Sequence, residues 1–213
     1  MRNTRLASAI GVLAAALISV TACSSEPAAS NTTSAAAPTT TTTTEAMSDG
    51  VTRTSDVFGA GCASLPADTE GSLDGMVDDP VATAASNNPL LTKLVAAVKA
   101  AGLVDTLNKG DAGYTVFAPY DPAFDALGAD ALNAVLADKA KLTTILTYHV
   151  VPQRMDRDGI VSSASLPTVQ GGTLKVEGSG DNITVNGSKV LCGNIPTANA
   201  TVFVIDKVMM PAS

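Results

Sequence analysis

Between residues 113 and 124 the chain reads "GYTVFAPYDPAF", and within those twelve residues its hydrophobic period changes. Gly110 and Gly113 flank a turn, and "YTVFA" (114–118) is a short apolar run rich in aromatic and β-branched residues, which predicts a buried strand. Asp121-Pro122 then pairs a capping residue with a proline at the first helical position, so a helix is expected to start there. On the N-terminal side, "SNNPLLTKLVAAVKAAG" (86–102) places Leu91, Leu94, Val95 and Val98 at helical spacing. Asn88 is the expected N-cap, Pro89 the first helical residue and Gly102 the C-terminal stop.

On the C-terminal side, "DALNAVLAD" (130–138) and "KAKLTTILT" (139–147) predict two further short helices. From residue 168 the period falls to two. "TVQGGTLKVEGSGDNITVNGSKVLCGN" alternates apolar and polar residues between glycines, as antiparallel strands do. Asn186-Gly187 suits a two-residue hairpin turn, because both residues tolerate positive φ. "ATVFVIDKVMMP" (200–211) closes the chain as a buried strand, with Met209 and Met210 expected in the core. Helices first and strands later predict an α+β domain. No repeat of solenoid length is present.

The domain is expected to run from 59 to 213, with two cysteines, Cys62 and Cys192. The chain's start implies export: "MRNTR" is basic and "LASAIGVLAAALISV" (6–20) is an apolar run of 15 residues, too short for a confident membrane span of about 20. In an oxidising compartment two cysteines have one intramolecular disulfide open to them. They lack the CxxC spacing and partner histidines of a zinc site.

The apolar run ends in "VTAC" (20–23), which resembles the bacterial lipobox. Residues 1–22 are therefore expected to be a signal peptide and Cys23 the lipid attachment site. Residues 23–58 follow as a stalk. Six consecutive threonines and no aromatic residue before residue 58 leave most of it too little apolar surface to offset the entropy of ordering, and its Thr/Ala/Pro composition suits a glycosylated spacer. Cleavage within it would shed the domain.

Removing Arg2 and Arg5 with the signal leaves 11 basic residues against 20 acidic ones, a formal charge of −9. With no basic cluster, no Trp and 3% aromatic residues, nucleic-acid binding is excluded.

Three motifs in order then carry a resemblance. "YTVFAPYDPAF" (114–124), "ILTYHVV" (145–151) and "ATVFVIDKVMMP" (200–211) resemble the signatures of the fasciclin, or FAS1, family over about Met76 to Pro211. "GLVDTLN", "CGNIPTANA" and the cysteine pair narrow it to the mycobacterial immunogenic antigens of fasciclin type, and the lipobox and stalk to their lipid-anchored, surface-exposed member. Tyr120 and Asp121 depart from the usual Thr and Asn, and Asp caps a helix as well as Asn does. The resemblance implies a single FAS1 domain, a β-sandwich-like wedge with helices along one side. It implies a non-catalytic role in adhesion or protein interaction at the cell surface. It also makes Tyr148 and His149 candidate contacts for a partner, a host-cell or extracellular protein or glycan.

His149 is the only histidine. Leu142, Ile145, Leu146 and His149 fall on one helical face, which predicts a structural histidine with a hydrogen-bonding partner. A hydrolase triad or a metal pair would need partners that the sequence lacks, since there is no GxSxG and no second His. "GSGDN" (178–182) lacks the later Glu of a calcium loop and is expected to be a hairpin turn. No catalytic, cofactor or metal residue is assigned. A monomer is expected, attached to the membrane by its lipid. The alternative function is a carrier for a lipid or small hydrophobic ligand in the envelope.

Overall fold

The computed structural model describes residues 50–109 and 113–211. The expected signal peptide, Cys23 and the stalk as far as residue 49 lie outside the described residues. Residues 50–58, placed by sequence in the stalk, instead pack on the domain. Phe58 is buried, exchanges backbone hydrogen bonds with Gly193 and sets its ring edge-on to Phe203 at 6.3 Å. Thr201 Oγ1 also donates to Gly50 O and Asn194 Nδ2 to Asp56 O, at 2.9 and 3.1 Å.

Four helices follow: α1 (Leu73–Met76), α2 (Val81–Asn87), α3 (Thr92–Ala101) and α4 (Val104–Asn108). After strand β1 (Tyr114–Pro119) come α5 (Asp121–Asp125), α6 (Ala129–Ala137) and α7 (Lys139–Tyr148). Then β2 (Val150–Val151) and α8 (Arg157–Ser163) lead into β3 (Ser165–Pro167), β4 (Thr173–Ser179), β5 (Asn182–Val185), β6 (Ser188–Pro196) and β7 (Ala200–Ile205).

The strands form one sheet in the order β2-β1-β7-β6-β5-β4-β3. Only β1 and β7 pair in parallel, with Phe117 opposite Phe203. Both strands are buried on both faces, as parallel strands usually are. Their alternation separates two cores. Val116, Ala118, Val202 and Val204 face the helices, while Phe117, Phe203 and Ile205 join the inner core under β4 and β5. The sheet curls until its edges meet. Beyond β3, Val169 N–H donates to Val150 O of β2 at 2.8 Å, so neither edge is left open there. The fold is α+β, as expected: a curled seven-stranded sheet with α1 to α7 along one side, while α8 packs on β3 and β4 and puts Ile160 into the inner core.

Helix starts depend on distant side chains. Asn88 does not open α3: it terminates α2, and its Oδ1 accepts from Leu90 N–H at 2.9 Å. Nor does Asp121 cap its own helix, where Tyr120 holds the cap position. Its carboxylate accepts instead from Lys93 N–H at 2.9 Å and from the Thr92 hydroxyl, at the start of α3. The N-terminus of α2 is met in the same way by Asn199 Oδ1 on Val81 N–H and by Asn108 Oδ1 on Ala82 N–H, at 2.9 and 3.0 Å. Gly102 does end α3, in the left-handed conformation at φ 74°.

The Asn186-Gly187 turn joins β5 to β6 with φ of 48° and 73°, and Gly180-Asp181 connects β4 to β5. The last strand is shorter than the sequence predicts. It stops at Ile205, and of the two methionines Met209 is buried while Met210 is 47% exposed.

Cys62 and Cys192 form a disulfide across 130 residues of sequence. Replacing both by serine is expected to lower unfolding free energy by about 2–5 kcal/mol, read from urea melts. Asp121→Ala should cost about 1 kcal/mol through the lost cap of α3, and Asp121→Asn much less.

Candidate functional site

The segment Thr147–Pro152 stands where α7 ends and the sheet closes. Asp138 starts α7 by accepting from the Ala140 and Lys141 amides, and Leu142, Ile145 and Leu146 seat it on the outer core. The helix stops at Tyr148, and two residues later the chain is a strand. The change of period places the side chains of Tyr148 and His149 on different sides of the wall.

His149 is 3% exposed. Its Nδ1 lies 2.8 Å from Ile145 O, and Met209 N–H donates to its Nε2 at 2.9 Å. An amide can only donate, so Nε2 is the unprotonated nitrogen and Nδ1–H donates to the Ile145 carbonyl. Burial, which disfavours the charged ring, lowers the pKa to about 4, and the bond to Ile145 O opposes it in part. The ring is therefore neutral and holds the C-terminal tail to the end of α7. With both nitrogens engaged by backbone, it offers neither a base nor a metal ligand. Among the described residues no group of three His, Cys, Asp or Glu side chains is placed to hold a metal ion.

Tyr148 points into the inner core. Its hydroxyl donates to Thr173 O at 3.0 Å and accepts from Asn186 Nδ2 at 2.6 Å, while Asn186 Oδ1 accepts from Lys175 N–H at 2.8 Å. Gly172 passes so close that a Cβ there would lie 2.9 Å from the Tyr148 ring. The candidate contacts Tyr148 and His149 are thus 5% and 3% exposed, and neither side chain is available to touch a partner directly. Together they tie α7, β4, the β5–β6 turn and the C-terminal tail. Sequence periodicity indicates the burial of His149. Its second partner, 60 residues away, has no local signal.

Next to the segment, α2, α3, α4 and α7 leave an apolar cleft against β1 and β2, with about 840 Å³ of atom-free space counting its open mouth. No local sequence pattern announces it, because its walls come from six separate stretches.

The family described as the fasciclin domain matches residues 89–211. The chain is 44% identical over 179 residues to the cell surface glycolipoprotein MPB83 of Mycobacterium bovis, covering 78% of this chain and 76% of that one. It is 44% identical over 164 residues to the immunogenic protein MPT70 of Mycobacterium tuberculosis, covering 73% and 83%. A FAS1 domain pair from the insect cell adhesion molecule fasciclin I aligns with a TM-score of 0.46 at 24% identity, over 56% of this chain and 45% of that one.

The buried histidine makes stability depend on pH in a defined direction. Its pKa is about 4 folded against 6.5 unfolded, so the unfolded chain takes the proton first as pH falls. Stability from this group is complete above pH 6.5, declines below it and is lost by about pH 4, by about 3 kcal/mol in all. Urea melts between pH 7.5 and 4.5 should show that slope, and His149→Gln should flatten it. Tyr148→Phe should cost about 1–3 kcal/mol at any pH in that range, since it leaves Asn186 Nδ2 and Thr173 O short of a partner.

Proposed function

The chain belongs to the fasciclin domain family, and we propose that it is a lipid-anchored surface protein that presents this domain to proteins or glycans outside the cell. The observation that carries the reading is the 44% identity to a cell surface glycolipoprotein across most of both chains, coinciding with "VTAC" directly after an apolar run. Acylation of Cys23 with more than one chain supplies firm attachment, which a single chain does not. The 26 residues from 24 to 49, whose composition suits a spacer, lie between that lipid and Gly50. Among the described residues no helix is long and apolar enough to cross a membrane.

The role is recognition without catalysis. The one histidine is committed to holding the fold through two backbone bonds. With Tyr148 and His149 buried, the surface offered near "TYHVVP" is the backbone and the neighbours they position, among them exposed Pro152, Val169 and Gln170.

Two measurements test this. In the native host, Cys23→Ser should move the protein from the detergent phase to the aqueous phase on phase partition; retention in detergent would overturn the anchor. Cells displaying the wild-type protein should bind immobilised extracellular-matrix proteins and host cells above cells that lack it. Equal binding by both would overturn the interaction role.

A further inference from the structure

The cleft between α2, α3, α4 and α7 has a composition that restricts what it can hold. Val95, Leu103, Val104, Leu107, Val150 and Val169 form much of its wall, and among the described residues no charged side chain borders it. Three of the polar groups that border it, Ser86, Thr147 and His149, are already occupied. Ser86 Oγ donates to Ala82 O at 2.7 Å and Thr147 Oγ1 to Thr143 O at 2.8 Å, each within its own helix. His149 has both nitrogens bound to backbone. Thr106 is exposed, and Tyr114 is half-buried.

Beyond Thr106 and Tyr114 a polar ligand entering here would lose its hydration and gain no partner among the described residues, at the cost of an unsatisfied buried group. A hydrocarbon gains by leaving water and loses nothing. The cleft is open: its about 840 Å³ of atom-free space includes the solvent at its mouth, and the space for the centres of water-sized groups is about 100 Å³, so a chain lies along it with only part of its length inside. Val95, Leu103, Val104 and Leu107 are only half-buried, and Val169 is 48% exposed. A continuous row of aliphatic side chains facing a cleft is therefore left in contact with water.

We propose that this cleft binds a single long hydrocarbon chain, as of a long-chain fatty acid, with the headgroup left outside in solvent. Among the described residues the wall contains no cation to recognise a carboxylate, so affinity follows chain length and not the headgroup. Each methylene added should tighten binding about fourfold until the cleft is full. The alternative expectation from sequence, a hydrophobic ligand, thereby acquires a location.

The test uses the full chain carrying Cys23→Ser, so that no attached lipid competes and the outcome is independent of the anchor. Titration with cis-parinaric acid should show saturable binding to one site. Palmitate and hexadecanol should displace it within about threefold of each other, and octanoate far more weakly. Val169→Glu puts a charge beside the exposed wall, and Ala85→Phe fills the cleft from α2. Each should weaken binding at least tenfold, with thermal melts verifying the fold. Met210→Glu, at an exposed methionine outside the cleft, should leave binding unchanged. Absence of saturable binding would overturn the proposal. So would binding that survives both cleft variants, or a preference for palmitate over hexadecanol beyond tenfold.

Discussion

The parallel pairing of β1 with β7 is the constraint on which the rest of the molecule depends. It joins Tyr114–Pro119 to Ala200–Ile205, so the middle of the chain cannot settle until its end arrives. Both strands need cover on both faces, and the two covers are different in kind. Helices α2, α3 and α7 supply one, through Leu94, Val98, Leu142 and Leu146. The sheet's own curl supplies the other, bringing Leu174, Val176, Ile183 and Val185 over Phe117 and Phe203. Non-local contacts of this sort carry a loop-closure cost before they return anything.

The helices are short, four to ten residues, and helices of that length are marginal in water on their own. They are fixed by packing and by polar side chains that belong to other elements. Asn199 is the fullest case. From the approach to β7 it accepts from Val81 N–H at the start of α2 and donates at 2.7 Å to Leu107 O at the end of α4. Asp121 does the same for α3 from across the β1–α5 corner. Asn194, in the left-handed conformation, accepts from Arg157 N–H at the start of α8 and donates to Asp56 O of the N-terminal strap. Asn199 and Asn194 each satisfy backbone groups of two elements, so the layers are registered as well as pressed together.

These long-range caps mark the boundary of what was legible in sequence. Periodicity located β1, α6, α7 and the β4–β6 meander, because there the signal is local and repeats within a few residues. Asp121 is a capping residue, as sequence suggests, but of α3 and not of its own helix, whereas Asn88, expected as the N-cap of α3, ends α2 instead. A carboxylate or amide does not state which amide it will meet. The stop of β7 at Ile205, with Met210 turned outward, was equally invisible, since an apolar pattern continues past the point where strand pairing ends. For the site, the helical face through Leu142 and Leu146 indicated that His149 is buried. That Tyr148 is buried too, held by Thr173 and Asn186, required the sheet to be closed first.

The strap ahead of the helices has a mechanical consequence. If the domain is tethered through its N-terminus, a pull enters at Gly50 and meets the covalent bridge at Cys62, which passes the load straight into β6 at Cys192. Only the 12 residues from 50 to 61 lie between those points, so only they can be drawn out before force reaches the centre of the sheet. The segment from Cys62 to Cys192, which contains α1 to α8, is bypassed as a closed loop. Under shear the domain would lengthen by a short, defined increment and then stiffen, with its helical face unstrained.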